Sequence, residues 1–296
     1  MRKEMLALSK AVLDNKTDVA LRILDKVIAI KADNPKASSH QSWYTRLNQF
    51  RGFYLDHING NIDSNYKLPF PIFKKGNGKL PFLNYSTVPV VNCPGADACR
   101  KWCYSLNSMR FPNATMSWLQ NQVLENHHFN IIERELISWL PKFKKHKRID
   151  FRLYNDGDFS SINVMVLWFN LIKKYPKIRA YGYTKSLNLV IELEKMGYDF
   201  PENYKFNVSS GGKYDSLGDT GIIRNNKSYR GKFIAYNFNN KKSKVTELTR
   251  DDKKQIRQSF NKKIFICPGA CGSCTKIGHG CGIDEFKNID IVIPIH

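Results

Sequence analysis

Ile178-Arg179-Ala180-Tyr181-Gly182-Tyr183 reads as a strand that runs directly into Thr184-Lys185-Ser186. Its neighbours repeat the pattern. Upstream, residues 149–154 lead to Asn155-Asp156-Gly157-Asp158-Phe159-Ser160, and downstream, residues 204–208 lead to Ser209-Ser210-Gly211-Gly212. Helical stretches over residues 163–174 and 187–196 separate the three strands. Strands alternating with helices of about ten residues or more predict a parallel sheet or barrel, and such folds carry their chemistry at the carboxyl ends of the strands. The expected fold class is α/β, with a partial (βα) barrel-like core.

Working outward, residues 86–92 read as the first strand of the core, followed by a loop to Pro112 and one long helix over residues 114–140 that Pro141 ends. The stretch 68–85, dense in Pro, Gly and Lys, is expected to be irregular or to hold short strands. Further strands are expected over 232–238, 264–266 and 289–293, with a short helix over 251–260. Residues 1 to about 60 read as helices: Val19, Ala20, Ile23, Leu24, Val27 and Ile28 recur at helical spacing, and Trp43, Leu47, Phe50 and Tyr54 do so again. The division expected is a helical extension over 1–65, an α/β core over 66–262 and a C-terminal cysteine-rich, metal-binding segment over 263–296.

All seven cysteines fall in two windows that open alike. One is Cys93-Pro94-Gly95-Ala96-Asp97-Ala98-Cys99-Arg100-Lys101-Trp102-Cys103, and the other is Cys267-Pro268-Gly269-Ala270-Cys271-Gly272-Ser273-Cys274, with Cys281 following. No apolar run approaches the roughly 20 residues of a membrane helix, and the first residues lack the pattern of a signal peptide, so a cytoplasmic protein without a membrane partner is expected. In that reducing compartment an odd number of clustered thiols points to metal ligation and not to disulfides. Cys93, Cys99 and Cys103 make a three-thiolate set, which suits a [4Fe-4S] cluster with one iron left open; a structural zinc would want four ligands. Cys267, Cys271, Cys274 and Cys281 make a closed four-thiolate set for a second [4Fe-4S] cluster or a zinc, with His279 as a substitute ligand, and its expected role is auxiliary or structural.

The formal net charge of +21 creates a field that attracts polyanions, which makes nucleic acid the expected macromolecular partner. The run Lys142-Phe143-Lys144-Lys145-His146-Lys147-Arg148 is expected to be a solvated turn.

Two resemblances rest on these residues. The stretch from Cys93 to Asn121, the Asp156-Gly157-Asp158-Phe159 and Tyr183-Thr184-Lys185-Ser186 segments and the C-terminal cysteines look like the phage family called gene product 88. That resemblance covers about residues 86–281 and implies a phage or mobile-element origin, hence a host-cell cytoplasm. The order of parts also resembles the radical S-adenosylmethionine enzymes. In that family a three-cysteine loop follows the first strand of a partial barrel and an aromatic residue precedes its last cysteine, as Trp102 precedes Cys103 here. The spacing departs from the family: five and three residues intervene here, where the usual loop has Cys-x3-Cys-x2-Cys.

The second resemblance implies catalytic roles for Cys93, Cys99 and Cys103, S-adenosylmethionine as cofactor and an electron donor as partner. Gly157 and Asp158 would stand where the family contacts the methionine amine, and Ser209 and Ser210 where it binds the methionine or ribose. Thr184 and Lys185 complete the expected rim, with Lys185 and Arg152 placed to neutralise a carboxylate or phosphate. The competing expectation is a non-enzymatic nucleic-acid-binding protein whose loops hold structural zinc or iron-sulfur sites.

Overall fold

Apolar and aromatic residues at alternate positions give the strands one face for helices and leave the other for different side chains. The structure is a computed structural model that describes residues 1–33, 38–76, 80–238, 245–271, 274 and 279–295. Two compact units divide the chain: Met1–Phe73, Ser86–Asn92 and Tyr104–Lys144 form one, and Lys74–Tyr85, Cys93–Cys103 and Lys145–His296 form the other.

The first unit is helical: α1 (Arg2–Leu13), α2 (Thr17–Ala32), α3 (Ser38–Ile58), α4 (Ser105–Ser108), α5 (Pro112–His127) and α6 (Phe129–Trp139). Helix α5 is buried at every position from Thr115 to Glu125, so its polar side chains need partners inside the unit. They find them. Ser9 donates to Gln122 at 2.7 Å while Gln122 donates back to the Ser9 carbonyl at 2.8 Å. Gln120 accepts from the Phe70 amide at 3.1 Å and donates to its carbonyl at 2.8 Å, and Asn121 donates to the Ser86 carbonyl at 2.9 Å. These bonds hold stretches that have no ladder of their own.

Two expectations fail in this unit. Residues 86–92 are not a strand: Pro89 has no amide to give to a ladder, and Val90 takes a left-handed φ of 70°, so the chain turns there. The single helix over 114–140 is two helices, because His128 leaves helical geometry (φ −138°, ψ 47°). Its ring is held by His57, whose Nδ1 lies 2.9 Å from His128 Nε2.

The second unit holds the sheet: β1 (Leu83–Asn84), β2 (Ile149–Arg152), β3 (Ile178–Thr184), β4 (Tyr204–Ser209), β5 (Tyr229–Tyr236), β6 (Ile264–Ile266) and β7 (Asp290–Pro294). Its order is β1-β2-β3-β4-β5-β7-β6 and every pairing is parallel. The expected α/β class is thus observed. The first strand lies a few residues upstream of the place expected for it, and residues 263–296 supply β6 and β7 to this same sheet. Helices α7 (Ile162–Lys174), α8 (Leu187–Lys195), α9 (Gly221–Asn225) and α10 (Arg250–Gln258) complete the unit.

On the helix-bearing face, Trp168 of α7 packs on Phe151 and Tyr85, and Phe169 packs on Phe159, Phe200 and Tyr204. Alternation sends Asp150, Arg152, Arg179, Tyr181, Tyr183, Lys205 and Asn207 to the opposite face. Among the described residues no helix is long and apolar enough to cross a membrane.

Candidate cysteine site at the carboxyl edge of the sheet

Because every strand runs the same way, the segments after β1 to β7 all leave from one edge. The first cysteine loop is fixed there by its backbone. The Cys99 amide donates to the Gly211 carbonyl at 3.0 Å, the Lys213 amide donates to the Gly95 carbonyl at 2.8 Å, and Ala96 pairs with Gly212 in an antiparallel bridge. Two glycines permit the approach. A Cβ on Gly95 would lie 2.0 Å from the Lys185 carbonyl oxygen, and one on Gly211, whose φ is +85°, would lie 2.8 Å from Trp102 Cζ2 and 3.0 Å from Cys99 Cβ. The loop after β1 is therefore seated on the segments after β3 and β4. Asp215, which the sequence did not single out, secures the second of these by accepting from the amides of Gly211 at 2.7 Å and Gly212 at 2.9 Å.

The expected rim residues divide into anchors and side chains that face the loop. Asp158 is buried, and its carboxylate accepts from the amides of Phe159 and Lys185 at 2.9 and 2.8 Å and from the Ser186 hydroxyl at 3.2 Å. Burial raises its pKa, with those hydrogen bonds opposing. Gly157 supplies the positive φ of +87° that turns the chain into Asp158. Thr184 is buried and accepts from the Ser186 amide at 3.0 Å. Ser210 accepts from the Ala235 amide at 3.0 Å. Lys185 differs: its ammonium donates to the Ser209 hydroxyl, and its charge lowers the pKa of Cys99 against the larger raising effect of burial. Cys99 is buried, whereas Cys93 and Cys103 are partly exposed.

The second cysteine group lies on the face of the sheet away from α7. Asn207 donates to the Cys281 carbonyl at 2.8 Å, and Arg179 donates twice to the Gly282 carbonyl, at 3.0 and 2.7 Å. His279 stacks on Tyr181 with ring centroids 4.1 Å apart and places Nε2 3.3 Å from Asp150, so it is held as part of the packing. Among the described residues, Cys267 accepts a hydrogen bond from the Gly269 amide at 3.4 Å, Cys274 from the Gly280 amide at 3.3 Å and Cys281 from the Tyr183 hydroxyl at 2.8 Å. Charge on Cys271 and Cys274 raises the pKa of Cys267, and charge on Cys267 and Cys271 raises that of Cys281, although burial is the larger cause in both.

Donors aimed at sulfur suit thiolates, which accept hydrogen bonds far better than thiols do. The donor set therefore fits thiolate ligation. Among the described residues no three Cys, His, Asp or Glu side chains converge on a single metal ion.

Tyr181, Asn207 and Asp150 escaped the sequence reading, and Tyr183 entered it only as part of a family-like segment. Their signal was present in β3, where Arg179, Tyr181 and Tyr183 alternate with Ile178, Ala180 and Gly182.

Fold and site together define an α/β protein with a parallel sheet that brings two cysteine groups to its carboxyl edge and one face. The chain belongs to the phage family described as Gene product 88, which matches residues 61–280, more than half of the chain. The match takes in every cysteine except Cys281. No curated protein and no solved structure matches the chain.

Proposed function

We propose that the chain is an iron-sulfur enzyme of the radical S-adenosylmethionine type, working in the host cytoplasm on a nucleic acid or another anionic substrate. One observation carries the reading: the loop with Cys93, Cys99 and Cys103 follows the first strand of an all-parallel sheet and is locked, backbone to backbone, onto the segments after the third and fourth strands. Carboxyl edges of such sheets are where reacting groups gather.

Cys93, Cys99 and Cys103 would hold a [4Fe-4S] cluster, and the chemistry it supplies when bound is the one-electron cleavage of S-adenosylmethionine, fed by an electron donor. The protein's part is positioning and electrostatics. Lys185 brings a positive charge to Cys99 and favours the thiolate that ligation requires. Asp158 fixes the backbone that carries Lys185, and Gly211 makes room for Trp102 beside Cys99. Ser209, bonded to Lys185, and the neighbouring Ser210 leave hydroxyl groups at the rim for a polar cofactor. Cys267, Cys271, Cys274 and Cys281 would hold a second cluster or a zinc with a structural role.

The test is anaerobic purification followed by iron, sulfide and zinc counts, then incubation of the reduced protein with S-adenosylmethionine. Brown protein that releases deoxyadenosine, with release abolished in Cys99→Ser, is the expected result. Colourless protein with stoichiometric zinc and no iron overturns the reading. It would favour instead a nucleic-acid-binding protein stiffened by zinc, for which the +21 charge speaks.

A further inference from the structure

The amino edge of the sheet, opposite the first cysteine loop, carries a feature that the enzyme reading does not use. A cleft of about 350 Å³ opens there between the turn before β2, the starts of β3 and β4, and Asp284. Five cationic side chains line it, Lys147, Arg148, Lys177, Arg179 and Lys205, against the two carboxylates of Glu202 and Asp284.

The carboxylates do not balance that charge. Asp284 is bound to Arg230, a buried side chain behind the cleft, and Arg148 has its own partner in Asp150 at 3.0 Å. Arg179 spends two of its nitrogens on the neutral carbonyl of Gly282 and makes no ion pair within 4 Å among the described residues. Lys205 is half-buried on β4 and has no ion-pair partner among the described residues. Burial, and after it the charges of Arg230 and Arg179, push its pKa down to about 8. Cations crowded this closely repel one another: burial first, and after it Arg148, lower the pKa of Arg179, with Asp150, Asp284 and Glu285 opposing in part. An anion in the cleft relieves that repulsion. The run at residues 142–148, expected to be merely a solvated turn, supplies Lys147 and Arg148 to this wall.

We propose that this cleft is a phosphate-binding site, built to take a phosphate ester carried by a nucleic acid strand or by a free nucleotide. Phosphate matches the lining. Lys205 and Lys147 offer point charges at its mouth, and the charges of Arg179 and Arg148, whose donors are turned to Gly282 and Asp150, add to the field. The six-residue rise along β3 places the cleft about 20 Å from the cysteine edge. A strand held here would be gripped by its backbone, away from the first cysteine loop.

The experiment measures binding of a fluorescein-labelled single-stranded oligonucleotide and of a nucleoside monophosphate to the purified full chain across a salt series. The variants are Lys205→Met, which keeps the buried stem, and Lys147→Gln together with Lys177→Gln, both on exposed positions that a folded protein tolerates. The expected result is that oligonucleotide binding weakens several-fold in each variant, equally across sequences. The slope of log K on log salt is expected to fall by about 0.7 for each phosphate that the variant no longer neutralises. Weakened binding of the monophosphate with no advantage for the oligonucleotide also supports the site and assigns it a free nucleotide. Affinities and salt slopes unchanged in both variants overturn it. Cys99→Ser serves as control: the inference stands if that variant loses iron and keeps its oligonucleotide affinity, so it fails separately from the enzyme reading.

Discussion

The hydroxyl of Tyr183 donates to the sulfur of Cys281 across 2.8 Å, joining the middle of the sheet to the last cysteine of the chain. Both groups are buried, and burial raises both pKa values. The Arg152 guanidinium stands 4.8 Å from the centre of the Tyr183 ring, on the same face. One strand residue thus meets a thiol at its tip and a cation over its ring.

Tyr183→Phe keeps the ring and its tilted contact with Phe233, ring centroids 4.4 Å apart, and removes only the donor. A neutral hydrogen bond contributes about 1 kcal/mol, and the buried sulfur is a weak acceptor whose desolvation costs little. The expected loss is about 1 kcal/mol in urea unfolding, with an unchanged m-value. An unchanged midpoint would mean that Tyr183 and Cys281 are neighbours without an energetic link.

Asp158→Asn is expected to do more damage than its size suggests. Each carboxylate oxygen accepts a backbone amide, from Phe159 on one side and Lys185 on the other. An asparagine must turn its NH2 toward one of them, and donor then meets donor inside the protein. The cost is expected to be about 2 kcal/mol. Because the Lys185 amide is one of the two, faster hydrogen exchange is expected there and in the adjoining Gly95 segment. A variant with wild-type exchange at Lys185 would remove Asp158 from its role as anchor of that loop.

What could be read from the sequence, and what could not, follows from the range of the interactions involved. β3 was legible because its side-chain alternation and the polar residues that end it are local. So were the cysteine windows, which their spacing alone marks out. Residues 86–92 were misread because Val and Thr have high strand propensity, while Pro89 and the left-handed Val90 turn that segment. The break at His128 depends on His57, far away in sequence, and the position of β7 between β5 and β6 depends on pairing order. Neither leaves a local trace. Two close approaches of the first cysteine loop, Gly95 to Lys185 and Gly211 to Trp102, bring distant segments together and are visible beforehand only as glycines.

Those glycines give a prediction with two signs. Gly95→Ala must displace the Lys185 carbonyl, since its Cβ would stand 2.0 Å from that oxygen, and backbone cannot swing aside as a side chain can. A loss of about 2 kcal/mol is expected, together with lower iron retention if the loop holds a cluster. Gly52→Ala lies inside α3 with nothing within 4 Å of the new methyl. It is expected to gain up to about 1 kcal/mol, because alanine loses less backbone entropy in a helix. Urea midpoints of the two variants on opposite sides of wild type are the expected outcome. A neutral Gly95→Ala would show that the cysteine loop is not held tightly against the segment after β3.

The three histidines where α3 and α5 end set a pH dependence. His57 packs against His127 with ring centroids 4.8 Å apart and against His128 at 5.1 Å. The carboxyl ends of both helices favour positive charge there, by less than about 1 kcal/mol for surface groups. Burial wins. It is the first cause of the lowered pKa at all three, and the neighbouring imidazoles add to it at His57, which falls from 6.5 to about 4. A group whose folded pKa lies below its unfolded value leaves the unfolded chain binding more protons between the two, so stability rises with pH across that window. The contribution of His57 is therefore present above about pH 6.5 and lost as pH falls toward 4. The side chain is only half-buried, so solvent screening reduces the effect to about 1 kcal/mol. Urea unfolding at about pH 7.5 and about pH 5 should show wild type losing more stability on acidification than His57→Gln, which cannot take up the proton. Equal losses in the two proteins would mean that the histidines titrate freely and that the break at His128 has another cause.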